Sequence, residues 1–179
     1  MEANSNQAAW LADEAEIRAR LLTPGVASRE EFGARSGTDF LNGIRTGELP
    51  PAPIGALMGF VPIHAEPGVA IFQGNPGREH YNPSGSVHGG YAATLLDSAV
   101  GCAVHSMLPA GKGYTTLELK VNYLRAMTDK TGPVRAEGKV VNVGNTIAVA
   151  EGRITDADGK LYAFATTTCL VFPIPPASE

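Results

Sequence analysis

Asn82-Pro83-Ser84-Gly85-Ser86-Val87-His88-Gly89-Gly90 leads directly into an apolar run, Tyr91 to Val104, that contains one acid, Asp97. Glycines at the start of a helix leave backbone N–H groups open, and the helix dipole there favours a developing negative charge. Gly89 and Gly90 therefore make a candidate oxyanion site. Asp97 is the only charged side chain between His88 and His105. A carboxylate on an otherwise greasy helix is costly unless it is paired, protonated or used in chemistry, and here it is read as used.

These two groups cannot easily serve one reaction from one chain. Gly89 and Asp97 are eight residues apart, which separates their backbones by about 12 Å along a helix. A water attacking a carbonyl must stand about 3 to 3.5 Å from the carbon whose oxygen occupies the oxyanion site. The expectation is a site across a two-fold interface, with Asp97 reaching over from a second protomer and two sites per dimer.

The elements that must position this pair can be read along the chain. Ala8 to Leu22 carries Trp10, Ile17 and Leu21 at helical spacing. Ser28-Arg29-Glu30-Glu31 has the form of a capping box for a second short helix, and Thr38 to Arg45 reads as a third. Pro50, Pro51 and Pro53 then interrupt the pattern, which divides the chain into a helical arm, residues 1–52, and a core, residues 53–179. The arm is expected to pack over one end of the core or along an oligomer seam.

Within the core, Gly68 to Gln73 reads as a strand, Pro76 to Gly85 as a loop and Gly89 to Ser106 as one long helix. The period then changes to two: Leu117, Leu119, Val121 and Tyr123 alternate with Glu118, Lys120 and Asn122, so the first set is expected to face the core. Strands follow near Val134 to Val143, Thr146 to Thr155 and Leu161 to Phe172, the last two joined by the turn signal Asp156-Ala157-Asp158-Gly159. These links are too short for parallel crossovers. The expected class is α+β, one antiparallel sheet around a single central helix.

Composition excludes other classes. The chain has 179 residues, 44% hydrophobic and 18% charged, enough for one domain with an appendage. Its net charge of −4 and lack of basic runs argue against nucleic acid or an anionic membrane as partner. Cys102 and Cys169 lie in apolar segments and are expected as buried free thiols. The charged start of the chain does not have the form of a signal peptide and no run is long enough to span a bilayer, so the cytoplasm is the expected location. His64, His80, His88 and His105 show no ligand spacing, so no metal is expected. Ser84 and Ser86 lack a nucleophile-elbow context.

The constellation of Asn82, Gly85, His88-Gly89-Gly90 and Leu96-Asp97, with the strand Thr115 to Leu124 and three more antiparallel strands behind it, resembles the hotdog-fold acyl-CoA thioesterases. The likeness covers about residues 55 to 172 and is to the phenylacetic-acid-degradation branch. It implies a helix rolled in an antiparallel sheet, assembled as homodimers and often homotetramers, that hydrolyses acyl-CoA thioesters. No separate cofactor is implied, because coenzyme A is part of the substrate.

On that resemblance Asp97 is the general base for water or, alternatively, a nucleophile forming an anhydride. The Gly89 N–H would hold the thioester oxygen, with Gly90 against the substrate. Asn82 either adds a donor to that oxygen or only forms a turn. His88 either orients Asn82, caps the helix, donates to the substrate or makes a structural hydrogen bond. Thr116 lies where the resembling enzymes place a water-positioning Ser or Thr, with Thr115 as its neighbouring rival. For the coenzyme, Arg125, Lys139 and Arg153 are candidate phosphate contacts, and Asn145, in the Gly144-Asn145-Thr146 link, offers a hydrogen bond where relatives often carry a base. Tyr91, Met107 and Leu108 hint at an apolar acyl pocket. Two other readings stay open: a hotdog hydratase or dehydratase, and a non-catalytic acyl-CoA-binding protein.

Overall fold

The central helix carries the apolar face on which the sheet closes. In a computed structural model, which describes residues 5–175, helix α5 runs Gly89–Ser106, as the apolar run requires. Thr94 and Ser98 donate their hydroxyls back to the carbonyls of Gly90 and Thr94, which satisfies two polar groups on an apolar helix. Leu95, Leu96, Ala99, Val100 and Ala103 are fully buried against the sheet. Small residues allow this close approach: a Cβ at Gly138 would collide with the Ala99 carbonyl, and one at Gly152 would come within 2.6 Å of Val100 Cγ1.

Six strands wrap that face: β1 Phe60–Glu66, β2 Val69–Gly74, β3 Lys112–Tyr123, β4 Val134–Val143, β5 Ile147–Asp156 and β6 Leu161–Pro173. They form one sheet in the order β1-β2-β4-β5-β6-β3, every pairing antiparallel. A helix rolled in a single antiparallel sheet is the hotdog fold. Strand β1 was not expected, because Pro62 interrupts its pattern. It is an edge strand, where a missing N–H costs no ladder bond, and it bulges just after that proline.

A second bulge corrects the reading of β3. The β3–β6 register slips between Thr116 and Glu118, so Leu117 turns outward and is 57% exposed instead of entering the core. Leu119 and Val121 do pack against the core, but Tyr123, at the strand end, is 55% exposed.

Four helices precede and join the sheet: α1 Ser5–Arg20, α2 Arg29–Ala34, α3 Gly37–Thr46 and α4 Pro53–Leu57. Ser28 and Glu31 form the expected capping box of α2, and Ser36 caps α3 by accepting from the Asp39 N–H. Residues 1–4 and 176–179, at the ends of the two segments read from sequence, lie outside the described residues.

Helix α1 is fastened by a buried acid that its amphipathic pattern does not reveal. Glu14, 5% exposed, accepts from Gln73 Nε2 and Asn75 Nδ2, each at 2.8 Å, and from Arg18 Nε at 2.7 Å. Arg135 donates to Gln73 and Asp13 and stacks over Trp10. Glu14→Ala leaves one N–H of the Gln73 amide sealed without its acceptor, the other still given to the Trp10 carbonyl, and is expected to cost about 2 kcal/mol, the scale of one unsatisfied buried donor. A lower urea midpoint at unchanged slope checks it, and an unshifted midpoint refutes the fastening role.

Candidate active site

At the start of α5, His88 is the N-cap: its Nδ1 accepts from the Gly90 N–H at 2.8 Å. Of the alternatives for His88, capping is the one the hydrogen bonds display. The Tyr91 N–H is taken by the His88 carbonyl. Gly89 N–H is left without a partner among the described residues, at the positive end of the helix. The Tyr123 ring covers Gly89 so closely that a Cβ there would lie 3.1 Å from it. Around this point Val87, Gly89, Tyr123 and Arg125 line a groove of about 400 Å³.

Asn82 is committed to its own loop. Its Oδ1 accepts from the N–H groups of Ser84 and Ser86, and its Nδ2 donates to Ser86 Oγ at 3.1 Å. These are the bonds of a turn former.

Two turns further along α5, Asp97 meets β3. Thr116 Oγ1 donates to Asp97 Oδ1 at 2.9 Å, while Oδ2 has no partner among the described residues. The Leu117 bulge helps set this aim, because Thr116 precedes the slip and keeps its inward orientation opposite Cys169. Thr115, one residue away, is exposed on the other face. The structure thus pairs Thr116, and not Thr115, with the acid.

Asp97 and Thr116 stand on the wall of a cavity of about 500 Å³. Cys102, His105 and Tyr114 continue that wall toward the end of α5. Burial pulls the His105 imidazole down to about 4, so it is neutral near pH 7. The same cause pushes the Cys102 thiol up to about 12, which makes it inert as a nucleophile. Both cysteines are free. The pocket residues anticipated from sequence lie elsewhere: Tyr91 and Leu108 are sealed in the core at 2% and 3% exposure, and Met107 faces solvent.

Gly89 and Asp97 therefore open into different cavities of one chain. Among the coenzyme candidates, Arg125 borders the Gly89 groove. Lys139 is exposed on β4, Arg153 is engaged with Glu151 at 3.4 Å, and Asn145 is exposed in the β4–β5 link. Among the described residues no group of three or more His, Cys, Asp and Glu could hold a metal, and no helix is long and apolar enough to cross a membrane.

Comparisons with known proteins agree with this architecture. The thioesterase superfamily matches residues 84–163, which include His88, Gly89, Asp97 and Thr116. A Halobacterium salinarum protein named "Putative esterase" is 45% identical over 82 residues, 44% of this chain and 52% of its own length, so the match spans about half of that relative. A Saccharolobus solfataricus protein of the same name is 38% identical over 104 residues, 58% of this chain and 71% of its own. Among solved structures, a Ralstonia eutropha protein described as "a putative thioesterase, phenylacetic acid degradation-related protein" superposes with a TM-score of 0.66 at 26% identity, covering 75% of this chain and 98% of that one. The chain belongs to the thioesterase superfamily.

Proposed function

We propose that the protein is an acyl-CoA thioesterase that works as a dimer, Asp97 of one copy activating water against a carbonyl held by the Gly89 N–H of the other. The observation that carries this is the Asp97 carboxylate: Thr116 fixes one oxygen, and the other is left free on the wall of a mostly apolar cavity. A carboxylate so oriented can take a proton from water while the hydroxide attacks the thioester carbon, and the unclaimed helix N–H meets the oxyanion. The negative tetrahedral intermediate then expels the thiolate and leaves the free acid.

The sheet edge supports the second copy. Strand β3 has one neighbour, β6, and its other edge is open, with Leu117, Tyr123 and Leu124 each more than half exposed. Tyr123 lies over Gly89, and Thr116 lies over Asp97. An antiparallel two-fold pairing of β3 with itself, centred on Lys120 with Leu117 bulged out of the count, sets Tyr123 of one copy opposite Thr116 of the other, edges about 4.8 Å apart. Each Gly89 then faces the other copy's Asp97. Arg125, which lines the Gly89 groove, offers a cation for a coenzyme phosphate.

Incubation with a panel of acyl-CoAs and a thiol-detecting reagent tests the reading. Release of one thiol per acid formed is expected. Addition of water to an enoyl-CoA without thiol release assigns a hydratase instead, and binding without turnover assigns an acyl-CoA-binding protein. Phenylacetyl-CoA belongs in the panel because of the Ralstonia eutropha likeness.

A further inference from the structure

The cavity beside Asp97 is not made by the sheet and central helix alone. Leu21, Phe32, Phe40, Leu41 and Ile44, all from the helical arm, form its other wall. Phe32 stacks on His105 at 4.9 Å, and Phe40 and Tyr114 close in at 5.5 and 5.4 Å from the same ring, which builds an aromatic floor at the far end. The arm's position there is held by polar bonds: Thr38 Oγ1 donates to the Ser106 carbonyl at 2.7 Å, and Arg45 Nε donates to the Ile63 carbonyl at 2.9 Å. From Asp97 to His105 the cavity follows eight residues of α5, about 12 Å of helix.

We infer that the arm is the acyl-specificity element of this protein: helices α1 to α3 roof a tunnel that takes a medium-length apolar acyl chain, carbonyl at Asp97 and Thr116, chain end on the Phe32, Phe40 and His105 floor. This rests on the thioesterase reading and adds the substrate class to it. Both walls are mostly apolar, and the charges along them are Asp97 and Arg18, the latter paired with Glu14, so each chain methylene gains by leaving water, up to the length at which the floor is met. A short acyl group leaves the tunnel unfilled. A chain much longer than the helix segment meets the aromatic floor and must bend.

The optimum is expected near decanoyl-CoA, whose extended chain matches that length. Its kcat/KM should exceed that of acetyl-CoA by about a hundredfold or more, and palmitoyl-CoA should fall below it. Ile44→Trp, which fills the tunnel from the arm side of a half-buried position, should lower the decanoyl-to-acetyl ratio at least about tenfold. Leu41→Ala, which enlarges it, should move the optimum to a longer chain. Far-ultraviolet dichroism and the thermal midpoint report whether each variant is folded. A folded Ile44→Trp protein with an unchanged chain-length profile overturns the inference and leaves the thioesterase reading intact. If no acyl-CoA is hydrolysed, the thioesterase reading fails by itself, and calorimetric binding of decanoate decides the tunnel: loss of binding in Ile44→Trp supports it, and equal binding or none in the parent protein overturns it.

Discussion

Asp97→Asn is expected to lower the turnover number on the best acyl-CoA by a factor of about a hundred or more, with KM changed little, which is the scale of losing a general base. The substitution is nearly isosteric, and its amide oxygen can still accept from Thr116 Oγ1 as Asp97 Oδ1 does. The position is half-buried at the cavity wall and is not part of the sealed apolar face of α5, so folding should be preserved. What disappears is the second oxygen's capacity to take a proton. Hydroxylamine included during turnover, with its direct reaction on the thioester subtracted, separates the nucleophile from the general base, since an acyl-aspartyl anhydride in the parent protein would be trapped as additional hydroxamate. An unchanged turnover number removes Asp97 from the chemistry.

The central helix was legible at both its approximate ends, and the reason is local. An apolar run bounded by His88-Gly89-Gly90 and closed before Pro109 can form little else, and the structure sets its limits at Gly89–Ser106. Strands β4 to β6 were equally local, through their period of two and the turn at Asp156 to Gly159. Strand β1 was hidden because an edge strand tolerates the proline that ordinarily argues against a strand. Leu117 was misplaced because a bulge is a pairing event, set by β6 as much as by β3.

Long-range polar geometry was the least visible. Nothing in the spacing of Asp97 and Thr116, 19 residues apart, announces a hydrogen bond, and Thr116 entered through resemblance to other enzymes. The arm's share of the cavity is of the same kind. Phe32 and Phe40 look like ordinary apolar helix positions until α5 brings His105 against them. Glu14 looks like one of several charges on α1 until Gln73 and Asn75 bury it.

Gly89→Pro is expected to cost a factor of about a hundred to a thousand in turnover, the scale of removing one oxyanion donor. Proline is well placed to test this backbone N–H. Gly89 is the first residue of α5, where proline is favoured and its missing donor breaks no intrahelical bond. His88 before it sits at φ −60° and ψ 137°, the extended region that a residue preceding proline requires. The added ring must displace Tyr123, which is 55% exposed in the single chain and borders the proposed β3 seam, so gel filtration of the variant is read beside its turnover to show that it still dimerises. Either variant alone is then nearly inactive, for different reasons. When Asp97→Asn and Gly89→Pro subunits exchange, each mixed dimer has one site with both defects and one with neither. Random mixing in equal amounts makes half the dimers mixed, so about a quarter of the parent activity should return. A monomer that carries both groups to the same carbonyl predicts no recovery at all. Absence of recovery in proteins shown to exchange subunits would therefore break the shared-site geometry, while leaving the Thr116–Asp97 pair and its cavity where they are.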